Sequence, residues 1–255
     1  MTPVTLFEIA LQGGSGGIQS FYDISLVDGY NLPMGVTYLK STANPIDLPP
    51  NLTNCRCVAS PGHAGAAEPD SGSEFPMPTA AGGDLERWCP WDHQLSPPTK
   101  PGDGVYPYPD DDIKRPPFSP CFSACEVTQT DQDCCRGKFN DPKKCKPGMY
   151  SEQAKEVCPD AYSFAFDDQS STFIVPSGGG WEVAFCPGGA STNILATFGK
   201  ELSDLAQGRG VSDELLSMAK EWPTLKKSEG TKQAERERAV SLGAFVVVIM
   251  VVCLW

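Results

Sequence analysis

The sequence predicts a mainly-β protein, stapled by disulfides, with two long inserted loops and with C-terminal helices. Three observations carry that class. Glycine and proline number 25 and 24 among 255 residues, while 40% of residues are apolar; that balance suits short strands joined by turns better than a helical bundle. Of 11 cysteines, all but Cys253 lie between Cys55 and Cys186. Their spacing, with the adjacent pair Cys134 and Cys135, fits a disulfide framework rather than zinc, which prefers Cys-x-x-Cys units or nearby histidines. The two histidines, His63 and His93, stand in Pro/Gly-rich stretches. Third, short apolar runs alternate with turn residues from the first positions onward.

The first run, residues 5–11, reads as a strand. A glycine-rich turn at 13–17 follows, and residues 21–27 read as a second strand, making a hairpin. The glycine turn is no phosphate cradle, since no Gly-Lys-Ser/Thr follows it. Asp28-Gly29 makes a tight turn before 30–34. Residues 60–88 are an Ala/Gly/Pro/Ser-rich insert that buries too little apolar surface to offset chain entropy. A second, Pro-rich insert covers 92–120 inside a Cys-rich segment, 89–158. Its 105–109 run could serve as a polyproline ligand and Asp110-Asp111-Asp112 could hold a cation, but neither pattern is complete and a solvated loop is the favoured reading. A short helix is expected at 151–157, strands at 161–166 and 181–185, and a turn at Pro176 and 178–180.

After Gly189 the spacing becomes helical. Ile194, Leu195, Phe198, Leu202 and Leu205 share one face, and Ser212 caps a second helix stopped near Pro223. Residues 190–230 are thus a helical stalk or linker, or they pack on the β domain. The final 17 residues, 239–255, carry no charge. As a helix they rise about 25 Å, short of the roughly 30 Å hydrocarbon core. A polar spacer at 231–238 precedes them, with small Ser228 and Gly230 before it. Small site, spacer and apolar tail match a glycosylphosphatidylinositol attachment signal with Ser228 as the attachment residue; a single retained transmembrane helix is the alternative.

Oxidised cysteines imply the secretory route, and the sequon Asn51-Leu52-Thr53 agrees with glycosylation at Asn51. Residues 1–11 have neither the basic start nor the apolar run of an export signal. The expectation is an N-terminally truncated protein. The formal net charge of −12, from 20 basic and 32 acidic residues, argues against nucleic acid as a partner and leaves neutral polysaccharides open. No motif calls for a metal or a cofactor.

Several stretches resemble the thaumatin-like family, which includes osmotin and zeamatin. They are Thr5-Leu6-Phe7-Glu8, the run from Phe21-Tyr22-Asp23-Ile24 through Asp28-Gly29-Tyr30-Asn31-Leu32-Pro33-Met34, Cys158-Pro159-Asp160-Ala161-Tyr162-Ser163-Phe164-Ala165-Phe166-Asp167-Asp168, and Phe185-Cys186-Pro187. The order of Cys89, Cys121, Cys125, Cys134, Cys135, Cys145 and Cys158 is similar too, over about residues 4–188. The resemblance implies a β-sandwich, incomplete here, formed by 1–59 and 159–189, and a disulfide-rich loop domain over 89–158. It implies bridges Cys89–Cys121, Cys125–Cys134 and Cys135–Cys145, with Cys57, or alternatively Cys55, bridged to Cys158. Val175 stands where the partner of the remaining one belongs, and the partner of Cys186 belongs to a segment before residue 1. Missing first strands would expose sheet edges, and a lost native bridge costs about 2–5 kcal/mol, so a poorly stable chain is expected.

The resemblance also implies an acidic cleft. Glu8, Asp23, Asp28 and Asp167 match its carboxylates, while its arginine falls in the absent segment. Carboxylates accept hydrogen bonds from sugar hydroxyls, and a pair astride a glycosidic bond can act as acid and base. Glu8 is then the expected acid and Asp23 the base or nucleophile, with Asp28 and Asp167 positioning sugar or water. Alone, Asp28 before a glycine is an ordinary turn residue. The expected function is a cell-surface protein that binds β-1,3-glucan, with weak endo-glucanase activity in the complete protein. The alternatives are a non-enzymatic antifungal protein that perturbs membranes, and a display protein that binds partners through 105–109.

Overall fold

The computed structural model describes residues 2–42, 48–60, 88–96, 120–206, 212–214 and 216–217. The greater part of both inserts, with 105–109 and Asp110 to Asp112, lies outside the described residues, as do Ser228, the spacer and the apolar tail. Residues 213–255 form a unit of their own, in which Asp213, Glu214, Leu216 and Ser217 are helical.

Among the described residues of the unit Met1–Ser212 six strands form: β1 (Leu6–Gly13), β2 (Gln19–Ser25), β3 (Met34–Leu39), β4 (Cys55–Cys57), β5 (Phe173–Pro176) and β6 (Gly180–Phe185). They make two three-stranded antiparallel sheets, ordered β1-β2-β5 and β4-β3-β6. The first hairpin forms because the turn at Ser15–Gly17 can take positive φ, at Gly16 80°. On β2 the period-2 alternation buries Ser20, Tyr22 and Ile24 on one face. Tyr22 stacks on Phe173 of its own sheet at 5.3 Å and meets Trp181 of the other sheet at 5.7 Å, and these rings join the two sheets. Its hydroxyl donates to the Thr53 carbonyl. With Leu26, Val36 and Val175 these side chains fill the core, each contributing about 1.5–3 kcal/mol on burial. β1 is an edge strand that leaves Ile9 and Leu11 exposed.

The helices are α1 (Pro50–Thr53), α2 (Ala124–Thr128), α3 (Met149–Val157), α4 (Asp168–Ser171) and α5 (Ile194–Ala206). The start of α5 is not a stalk. Ile194, Leu195 and Phe198 are buried as it packs on β5, α1 and α4. Its first amides, from Ile194 and Leu195, both donate at 2.9 Å to the carboxylate of buried Asp160, 34 and 35 positions earlier. That carboxylate caps the helix and complements its dipole.

The strand expected at 161–166 does not form. Tyr162 alone bridges to Ser25. Beyond it the Ser163 amide and hydroxyl turn to the Asp167 carboxylate, at 3.1 and 2.9 Å, and the chain reverses between Phe164 and Asp167. A local side-chain acceptor has competed successfully with the sheet.

Four bridges close the frame: Cys57–Cys158, Cys89–Cys121, Cys125–Cys134 and Cys135–Cys145. They are the pairs that the resemblance implies, with Cys57 rather than Cys55 as the partner of Cys158. Cys55 is a buried thiol and Cys186 an exposed one. The glycosylation expected at Asn51 meets a steric objection. Asn51 sits in α1 at 3% exposure, so its amide is closed to a glycan in this fold. Among the described residues no helix is long and apolar enough to cross a membrane.

Candidate functional site

The antiparallel register of the first hairpin sets Glu8 directly opposite Asp23. Cross-strand partners share a face, with their Cβ atoms about 4.5–5.5 Å apart. Asp23 alternates with Tyr22 and Ile24, so the pair stands on the face turned away from the inter-sheet core. Glu8 is exposed, whereas Asp23 is half-buried.

Asp23 lacks the partners that would stabilise its charge. Its Oδ1 is buried with no hydrogen bond. Burial first, then the charge and hydrogen bonding of Glu8, then the charge of Asp168, push its carboxyl up to about 7. Asp23 therefore keeps a proton close to neutrality.

Asp168 opens α4 and is exposed. Its Oδ1 accepts from the Tyr162 hydroxyl at 2.9 Å, and the same phenol oxygen lies 2.6 Å from Thr172 Oγ1. Asp168 follows Asp167 directly in the sequence. Nothing in a linear reading distinguishes two adjacent aspartates; only the sharp turn after Phe164 sends them in different directions.

Asp167 cannot position a sugar or water as expected. It is 8% exposed, and its carboxylate is fully engaged. Oδ2 takes the amide and hydroxyl of Ser163 and lies 3.3 Å from Lys155 Nζ, while Oδ1 accepts from Ser170. Lys155 in turn donates to the carbonyls of Pro159 and Ser170 and to the Ser171 hydroxyl. Together these groups lock α3 to α4.

Asp28 is exposed in the turn that ends on Gly29. That glycine has φ +100°, and a Cβ there would meet the Cys121 carbonyl oxygen at 2.5 Å, so the turn fits tightly against the Cys-rich segment. Asp28 acts on Tyr150 of α3, whose phenol is pushed up by burial and then by this charge; Tyr150 donates to the Leu26 carbonyl at 2.7 Å. The structure thus gathers Glu8, Asp23 and Asp168, sets Asp28 at the junction with α3, and buries Asp167.

Residues 1–187 match the family model described as Thaumatin family. The chain is similar to Pathogenesis-related protein 5 of Arabidopsis thaliana, 34% identical over 185 residues that make up 72% of this chain and 56% of that protein. It is similar to a Glucan endo-1,3-beta-glucosidase of Prunus avium, 33% identical with the same coverage of 72% and 56%. It also resembles a PR5-like receptor kinase of Arabidopsis thaliana, 28% identical over 74% of this chain and 22% of that protein. The chain thus spans little more than half the length of the first two relatives.

Proposed function

The chain belongs to the thaumatin family, and from that premise we propose that it binds β-1,3-glucan at the rung formed by Glu8 and Asp23. One observation carries this reading: a half-buried carboxyl that holds its proton near neutrality faces an exposed one across a single rung, on the outer side of an edge hairpin. Such a rung offers a hydrogen-bond donor and an acceptor side by side, which is what the hydroxyls of a sugar require. The name of the cherry relative points to the same polymer. Asp28 extends the acidic surface toward the Cys-rich segment.

Binding takes precedence over hydrolysis here. Carboxyls that reach each other through a hydrogen bond stand closer than the roughly 5–5.5 Å used by retaining glycosidases. For any hydrolysis, Asp23 is the acid and Glu8 the base, the reverse of the assignment expected from sequence, because Asp23 is the more buried of the two. Retention of the full chain on insoluble β-1,3-glucan, with cellulose as control, tests binding; reducing-sugar release tests hydrolysis. Equal passage through both polymers would remove the glucan reading.

The four bridges suit an oxidising, extracellular setting. Attachment to the membrane surface through Ser228 and the 231–255 tail is read from sequence alone. Release from cells by a phosphatidylinositol-specific phospholipase supports it, and retention after treatment favours a transmembrane helix. A second reading, membrane perturbation in defence, draws on exposed Ile9, Leu11 and Ile18 around the first hairpin. Leakage from liposomes by an Asp23→Asn chain that no longer binds glucan would favour it.

A further inference from the structure

We propose that the basic loop around the Cys135–Cys145 bridge, residues 136–146, is a second binding surface, and that it takes an acidic polysaccharide whose sugars carry carboxylates. The loop belongs to the Cys-rich segment and shares no residue with the Glu8–Asp23 rung, so this surface stands or falls independently of the glucan reading.

Residues 136–146 hold five basic side chains, Arg136, Lys138, Lys143, Lys144 and Lys146, against one acidic side chain, Asp141. The whole chain has 20 basic residues and a net charge of −12. A quarter of the cations of an acidic protein are thus gathered in one short loop. All five are exposed. Lys144 lies 3.8 Å from Asp141, an exposed pair that holds it only weakly. Among the described residues, Lys143 and Lys146 make no ion pair. Of the carboxylates just upstream, Asp133 is turned to the hydroxyls of Thr128 and Thr130, at 2.6 and 2.9 Å. Asp131 does face the loop, at Gly137, where a Cβ would meet its Oδ2 at 2.8 Å. Two carboxylates against five cations leave the surface positive.

The fold concentrates these charges. The bridge brings the Cα atoms of Cys135 and Cys145 to 5.4 Å, and Cys125–Cys134 ties the preceding residue to α2. Arg136, Lys144 and Lys146 each adjoin a cysteine of that bridge, at about 3.8 Å between Cα atoms, so no two of their Cα atoms are more than about 13 Å apart. That span is close to the Debye length of about 10 Å in 0.1 M salt, and the charges act together on one ligand. The backbone between them is hydrogen-bonded: Phe139 donates to Arg136 at 2.9 Å, and Lys144 and Cys145 both donate to the Asp141 carbonyl at 2.9 Å. Lys138 Nζ rests over the Phe139 ring, 5.1 Å from its centroid. The loop is therefore ordered before a ligand arrives, which lowers the cost of binding. Four of the five cations are lysines, compact point charges rather than the bidentate forks that suit phosphate. Separate point charges match single carboxylates spaced along a sugar chain. Anionic lipid belongs mainly to the cytoplasmic leaflet, whereas the four bridges suit an extracellular setting.

The test is retention of the full chain on immobilised polygalacturonate at pH 7, with fully methyl-esterified polygalacturonate, the same sugar without its charge, as control. The wild type is expected to be held by the charged polymer alone at about 50 mM salt and released by about 300 mM. Lys143→Gln/Lys144→Gln/Lys146→Gln, changes confined to exposed side chains, is expected to lower retention about tenfold at an unchanged melting temperature. Arginine at the same three positions keeps the charge and is expected to keep retention. Equal retention of the glutamine variant and the wild type overturns the proposal, and so does equal retention of the wild type on the two polymers. Passage of the wild type through polygalacturonate, with low-salt dimers that the glutamine variant does not form, also overturns it and gives the loop to the acidic surface of a second copy.

Discussion

Asp23 and Asp167 are the same residue type in one small domain, yet the fold treats them in opposite ways. Asp167 is the more buried, and each of its carboxylate oxygens has a hydroxyl, an amide or an ammonium against it. Asp23 is less buried, yet it has an oxygen without a partner and carboxylates for neighbours. The lesson is that depth alone does not mark a working carboxylate. A buried charge that is fully solvated by protein groups holds the fold together, whereas one left short of partners is poised to exchange a proton.

The comparison sharpens most at Asp167. Asp167→Asn takes from Lys155 its ion-pair partner and leaves it only the charge of Asp160, and the expected cost is about 3 kcal/mol in urea unfolding at pH 7. A change near zero would erase the distinction between the two residues. Asp160→Ala, which uncaps α5, is expected to cost about 1–2 kcal/mol in the same assay. Asp23→Asn should do the opposite. Below about pH 4 the folded and unfolded chains both hold the Asp23 proton, because unfolded aspartate titrates near 3.9. As pH rises toward 7 only the unfolded chain releases it, so wild-type stability falls through that window. The asparagine variant escapes this loss. It is expected to be more stable by on the order of 1 kcal/mol at pH 8, with the gain vanishing at pH 4, as thermal melts at the two pH values will show. A gain that is equal at both pH values would mean that packing, not ionisation, separates them.

Much of the frame was legible in the residues. The first hairpin announced itself by alternation around a glycine cluster, and α5 by helical spacing. The facing of Glu8 and Asp23 follows once that hairpin is granted. What escaped was anything decided by local competition. Residues 161–166 alternate like a strand, yet Asp167 draws Ser163 into a turn, and that turn also separates Asp167 from Asp168. The partner that caps α5 lies 34 positions upstream of Ile194 and leaves no local signature. The sequon at Asn51 is intact as a triplet, but α1 places it inside the fold.

The assignment of this outer sheet face to sugar is tested most directly by retention on insoluble β-1,3-glucan of the Glu8→Gln/Asp23→Asn chain beside the wild type, both shown folded by melting. We expect the wild type to be held and the double variant to lose retention by tenfold or more, roughly the 1.4 kcal/mol that one or two polar contacts to a sugar supply. Equal retention of the two would contradict the account.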